Sequence, residues 1–177
     1  DENNKMEDAS FKLIEKTQPG VDTDARWLKK GEELYYGFKQ AIAVDENGLI
    51  DAVHTTSANV SDSELLSVLL SFIPNAENKA IYADKGFKTS RNDELLRSMK
   101  FKNRIMHRGY RNKELTHWQK EFNKLVGRYR YVVERTFGSI KRWFNGGVAR
   151  YKGLAKVHAQ HVLQAIAYNL KRAVSLV

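Results

Sequence analysis

The chain has 177 residues, 42% of them hydrophobic, which suffices for one buried core and makes a single domain the default. It contains no cysteine, so disulfides and thiolate metal sites are excluded. The formal net charge of +9 is unevenly spread: residues 1–99 carry 12 Lys/Arg against 18 Asp/Glu, and residues 100–177 carry 18 against 3. A basic half of this kind is the footprint of an anion-binding surface, most often for nucleic acid, although ribosomal and membrane-surface proteins share it.

The first 20 residues are polar and acidic and close on the turn signal Pro19-Gly20, so they read as a poorly ordered lead-in to a domain over 21–177. They lack the basic start and apolar run of a signal peptide, and the longest apolar stretch, LLSVLLSFI, is too short to span a bilayer. A soluble intracellular protein is the expectation. The ordered part is expected from near Trp27. YYGFKQAIAV and LIDAVHTTSANV are rich in β-branched and aromatic residues and flank Asn47-Gly48, which predicts two antiparallel strands joined by a tight turn.

Ser61 and Glu64 have capping-box spacing before the leucine run and Pro74 stops it, predicting a helix over about 62–73. AIYAD then reads as a short buried strand, TSRNDELLRSMK as a helix and KNRIMH as a further strand at a sheet edge. From Leu115, apolar residues recur every three to four positions through Phe144, which predicts a long helix ended by Asn145-Gly146-Gly147. A last helix is expected over about 155–173. The order implies an α/β fold, a mixed sheet covered by helices.

Two carboxylates stand out. Asp84 closes the apolar run AIYAD, and Glu134 lies mid-helix in the acid-poor half. Carboxylates brought together from different elements suggest a divalent-metal site, because such ions can clamp the attacking and leaving oxygens of a phosphodiester. Arg130, Glu134 and Lys141 sit at i−4, i and i+7 and share one helix stripe. The plain alternatives are an Arg130–Glu134 salt bridge on a solvated helix and an ordinary turn aspartate at Asp84.

The segments ELYYGFKQAIAVDENGLIDAVHTTSANVSDSELL, YADKGF and VVERTFGSIKRW resemble the catalytic domain of bacterial insertion-sequence transposases of the DDE class, specifically the insertion sequence five group. The likeness runs in order through about residues 18–175, including QPGVDTDARWLKKG and ARYKGLAKVHAQHVLQAIAYNL. It implies an RNase H-like fold carrying Asp, Asp and Glu, with Asp84-Lys85-Gly86-Phe87 matching the second-aspartate motif D-x-G-[YF]. The family's glutamate motif is Tyr, two residues, Arg, three residues, Glu, six residues, Lys. Arg130, Glu134 and Lys141 fall at those intervals. Gly127 occupies the tyrosine position, with Tyr129 or Tyr131 as substitutes.

By that resemblance, Asp84 and Glu134 hold Mg²⁺, with Mn²⁺ able to replace it, while Arg130 and Lys141 complete the catalytic set. The partner is double-stranded DNA, element ends and target, bound by a homo-oligomer in the bacterial cytoplasm on the nucleoid, with no membrane association. The first aspartate is expected upstream of the W-x-K-K-G segment in a V-D-A-[ST] context. Asp8-Ala9-Ser10 offers a superficial match with no apolar strand before it. The expectation is therefore a domain lacking its first strand. A decayed transposase that binds DNA without chemistry, or an RNase H-like nuclease, is the rival reading.

Other candidates carry plainer readings. His158 and His161, i and i+3 on a helix, are read as structural or nucleic-acid-facing rather than metal ligands. Asp45 and Asp51 flank a turn, and Asp62 serves a helix start, with a site-proximal role left open by the Asn59-to-Asp62 element. Trp118, Tyr129, Tyr131 and Trp143 could stack on bases, but aromatics at helical spacing are read as core. Arg104, Arg108, Arg111, Lys120, Lys124, Lys152 and Lys156 are candidates for tracking a phosphate backbone.

Overall fold

The computed structural model describes residues 20–74 and 77–176. The elements in chain order are β1 (Arg26–Lys30), β2 (Glu33–Val44), β3 (Ile50–Ser57), α1 (Asp62–Ser71), β4 (Ala80–Ala83), a 3₁₀ turn (Lys85–Phe87), α2 (Ser90–Ser98), β5 (Lys102–Ile105), α3 (His117–Phe144) and α4 (Leu154–Val174). Antiparallel strands, a parallel pair and four helices make a mixed α/β architecture that agrees with an RNase H-like fold. β1 is the strand that sequence reasoning missed: its RWLKK stretch is mostly exposed and shows no apolar alternation.

β2 and β3 pair antiparallel through the Asp45–Gly48 turn, closed by the Gly48 N–H donating to Asp45 O at 3.1 Å. Gly48 has φ +83°, and a Cβ there would come within 3.1 Å of Arg135 and 3.4 Å of Val132 on α3. The positive φ favours glycine, and α3 leaves little room for a side chain. β1 pairs with Glu33–Gly37 and β3 with Phe38–Val44, so no β2 residue has two strand neighbours. Ala58 N–H extends the β3 ladder to Gly37 O, and Ser57 Oγ–H donates to Asp24 O just before β1. β1 and β3 thus follow one another along one edge of β2, and among the described residues no strand lies on the other edge.

β4 and β5 form a separate parallel pair joined through α2, as a β–α–β crossover requires. Helices cover both faces. α1 buries Leu65, Leu66, Leu69 and Leu70: Leu65 and Leu69 meet Ala41 and Ala52, and Leu66 and Leu70 meet Leu96, Phe101 and Ile105. At about 1.5–3 kcal/mol for each fully buried leucine, this helix is the main link between the two sheets on its face. On the opposite face Ile140 of α3 and Ala165 and Tyr168 of α4 pack on Ile42 and Ile50.

Polar clamps fix the helices in register. Asn169 of α4 accepts from Ile50 N and donates to Ile50 O (2.8 and 2.9 Å), as a neighbouring strand would. Thr136, fully buried on α3, lies 3.1 Å from the Tyr168 hydroxyl. α4 has no side-chain cap of its own. Its first turn is capped from far away, with Gly153 N–H donating to Asp22 and Leu154 N–H to Asp24.

Candidate active site

Asp84 follows the last residue of β4 and caps the 3₁₀ turn, its Oδ1 accepting from Lys85 N–H at 2.6 Å. A strand end is where a parallel pair opens to solvent, so the carboxylate is fixed in direction yet 43% exposed. Beneath the turn, Gly86 lies so close to Asp62 that a Cβ would sit 3.2 Å from its Oδ2. Asp62 is itself held by Lys39 Nζ at 2.8 Å. The aspartate expected to serve the helix start therefore also supports the Asp84 turn.

Glu134 comes from α3. The helix starts at a capping box between Thr116 and Gln119 and is tied to the exit of β5 by Asn123, which accepts from His107 N and donates to His107 O. Arg130, one turn before Glu134, joins the two carboxylates: Nη2 is 3.1 Å from Glu134 Oε1 and Nη1 is 3.7 Å from Asp84 Oδ1. The helical i,i+4 salt bridge is thus present, and the same guanidinium reaches across to β4. Arg130, Asp84, Lys85, Met106, His107 and Asn123 line a cleft of about 340 Å³. Lys141 lies on the same helix two turns beyond Glu134, roughly 10 Å further along the axis.

Tyr129 stacks on Tyr82, ring centroids 4.2 Å apart, and Tyr82 lies two residues before Asp84. Burial, then the neighbouring Tyr129, raises the Tyr82 hydroxyl above its ordinary pKa, so it stays protonated at neutral pH. Tyr131 faces outward beneath Arg135, whose guanidinium carbon is 6.0 Å from the ring centroid. Gly127 has open space where a side chain would be.

Residues 8–170 match the family described as Transposase DDE domain. The chain belongs to this transposase family. It is also 36% identical, over 166 residues, to the transposase for insertion sequence element IS1106 of Neisseria meningitidis serogroup B. That match covers 94% of this chain and 57% of the relative, so the chain spans little more than half the length of that protein. No solved structure matches.

As a metal site, this transposase domain offers Asp84 and Glu134, both hard oxygen donors. Among the described residues no cluster of three or more His, Cys, Asp or Glu side chains is placed to hold a metal. Two carboxylates suit a dication that keeps waters and takes substrate phosphate oxygens as its remaining ligands. Asp8 lies outside the described residues. No helix among the described residues is long and apolar enough to cross a membrane.

The remaining candidates separate clearly. Thr55 Oγ1 lies 2.8 Å from His161 Nδ1 and 3.1 Å from His158 Nδ1, and the His161 imidazole is pushed down to about 4 by burial and then by His158, so the histidines serve the core. Asp45 is a turn residue, accepting from Leu49 N–H at 2.7 Å, and Asp51 is exposed. The aromatics correct the reading as core: Trp118, Tyr129, Tyr131 and Trp143 are all at least half exposed, because they flank the buried Val126–Thr136–Ile140 stripe. Among the cations, Arg104 is a partly buried residue of β5, and Arg108 and Arg111 are exposed in the segment that follows it. Lys120 and Lys124 are paired with Glu114 and Glu121, and Lys152 donates to Gly20 O.

Proposed function

We propose that this chain is the catalytic domain of an insertion-sequence transposase that cuts and joins DNA strands at element ends with a divalent metal, Mg²⁺ or Mn²⁺. The observation that supports the reading is Arg130, whose guanidinium reaches both Asp84 at one strand end and Glu134 on the same helix as itself. When bound, the metal supplies charge stabilisation at the scissile phosphate and an activated attacking oxygen. Asp84 and Glu134 hold it. Arg130 cancels their mutual repulsion and offers a planar fork to phosphate, and Lys141 adds a point charge further along the strand. The grouping with insertion sequence five rests on the Arg-Glu-Lys spacing and belongs to the proposal.

The first acidic residue of the triad lies, on this reading, on a strand that fills the gap between β2 and β4. Three features support it. Among the described residues, β2 has no strand on one edge and β4 pairs with β5 alone, and α1 packs against both sheets that flank the gap. The Nε2 of Gln40, midway along β2, is buried without a partner among the described residues. A homo-oligomer on the nucleoid is the assembly we propose. On α4, Ala159, Leu163, Ile166, Leu170 and Ala173 alternate at four- and three-residue spacing, with the three large side chains at least half exposed.

The test is cleavage of element-end DNA by a longer chain extended upstream through that strand. Asp84→Asn and Glu134→Gln should each reduce metal-dependent cleavage to background while DNA binding persists. A decayed, DNA-binding protein would stay inactive after extension. Retained cleavage in either variant would remove these residues from the reaction.

A further inference from the structure

The 3₁₀ turn that aims Asp84 is short. Phe87 N–H donates to Asp84 O at 3.0 Å and Lys88 N–H to Lys85 O at 3.2 Å, and turns of this kind hold themselves weakly. The chain leaves helical geometry at Lys88 (φ −75°, ψ 101°), so no helix continues the turn and stiffens it. Because Asp84 Oδ1 accepts from Lys85 N–H, the carboxylate takes its direction from this backbone. Whatever steadies the turn steadies the carboxylate.

Asn92, in the first turn of α2, is 2% exposed. Its Nδ2 donates to Phe87 O at 2.8 Å and to Ser63 O at 2.9 Å, so both amide hydrogens are committed. One buried side chain thus joins α2, the first turn of α1 and the carbonyl that ends the Asp84 turn. The Phe87 ring packs against both clusters that α1 builds, and Asp62, next to Ser63, supplies the contact at Gly86. A leucine at position 92 would also suit burial, but it would deprive the Phe87 and Ser63 carbonyls of these partners. Apolar packing resists separation, whereas two directed bonds also fix orientation.

Resting on the reading of Asp84 as a metal ligand, we infer that Asn92 is a positioning residue of the candidate active site. Its amide clamps the Asp84 turn to α1 and so keeps the Asp84 carboxylate beside Arg130 and Glu134. Being buried, it acts through the turn and not on metal or DNA. Asn169, which ties α4 to β3 by an equally directed pair of bonds, is the matching strut at a place where no ligand is held.

The experiment takes the upstream-extended chain of the cleavage test and reads two quantities by NMR: amide hydrogen exchange without metal, and line broadening by Mn²⁺ alone. Asn92→Leu keeps the bulk and removes both donors. It should speed exchange at Lys85, Phe87 and Lys88 by about tenfold or more. The Mn²⁺ concentration for half-maximal broadening at Lys85 should rise about fivefold or more. Asn169→Leu should leave both readouts within about twofold, even where it lowers overall stability further. Asn92→Ser, whose hydroxyl can serve one carbonyl, should give an intermediate effect and carries the test if Asn92→Leu does not fold. Unchanged exchange at the turn, or an equal change in Asn169→Leu, would overturn the inference and leave the metal reading standing. Faster exchange with an unchanged Mn²⁺ dependence would overturn it too, making Asn92 a clamp of the fold alone. No broadening near Asp84 in the unsubstituted protein would sink the metal reading, and the positioning role with it.

Discussion

The two ends of α3 sit in opposite environments. Around Thr136 and Ile140 the helix is sealed against the β2–β3 hairpin and α4, where Thr136, Tyr168 and Asn169 pair with one another or with backbone. Around Trp118 to Arg130 it borders two cavities, with exposed aromatics and a guanidinium shared between two solvated carboxylates. One end supplies rigidity and the other carries the proposed site. A long helix can do both because a buried far half fixes the direction of the near half.

The comparison breaks first at the core. Ile140 is 1% exposed and central to its cluster, so Ile140→Ala should cost about 2–5 kcal/mol by urea denaturation, whereas the exposed Leu125→Ala should stay within about 0.5 kcal/mol. Equal effects would mean that the two ends are packed alike. Gly48→Ala should follow at roughly 1–3 kcal/mol, since it forces a positive φ on alanine and pushes a methyl toward Arg135 and Val132.

The hairpin, α1, β4, α2, β5 and the two long helices were legible because periodicity and turn chemistry report burial locally. β1 was not, because its residues are mostly exposed and its pairing is set by Glu33 to Gly37 further along the chain. Asp84 and Glu134 stand out as candidates through motif spacing, but the contact of Arg130 with Asp84 spans 46 residues and exists only once α3 lies against β4. The support of the Asp84 turn by Asp62 left only a faint trace, the small residue at Gly86.

Acid probes the sealed end more mildly. His161 is held near pKa 4 in the fold against 6.5 in the unfolded chain, so between those values the unfolded state binds more protons. Stability should therefore fall as pH drops from about 6.5 to 4, by roughly 1–2 kcal/mol after allowance for residual solvation. His161→Phe should flatten that window in chemical denaturation. An unchanged slope would place the acid sensitivity elsewhere.

The smallest stability effect should come from the residue that matters most for the proposed chemistry. Arg130 is partly buried, its carboxylate partners are 43% and 61% exposed, and ion pairs of this kind contribute about 0–1 kcal/mol. Arg130→Gln should therefore shift the unfolding midpoint little, since Asn123 and Thr136 still fix the helix. Its effect on DNA should be larger: with one fewer phosphate neutralised, the slope of log affinity against log salt becomes shallower by about 0.9 on duplex. Lys141→Gln should change it by a similar amount if the strand runs along α3 from the cleft. A strong loss of stability in Arg130→Gln with an unchanged salt slope would reverse the assignment, making this arginine a strut between β4 and α3 rather than a phosphate ligand.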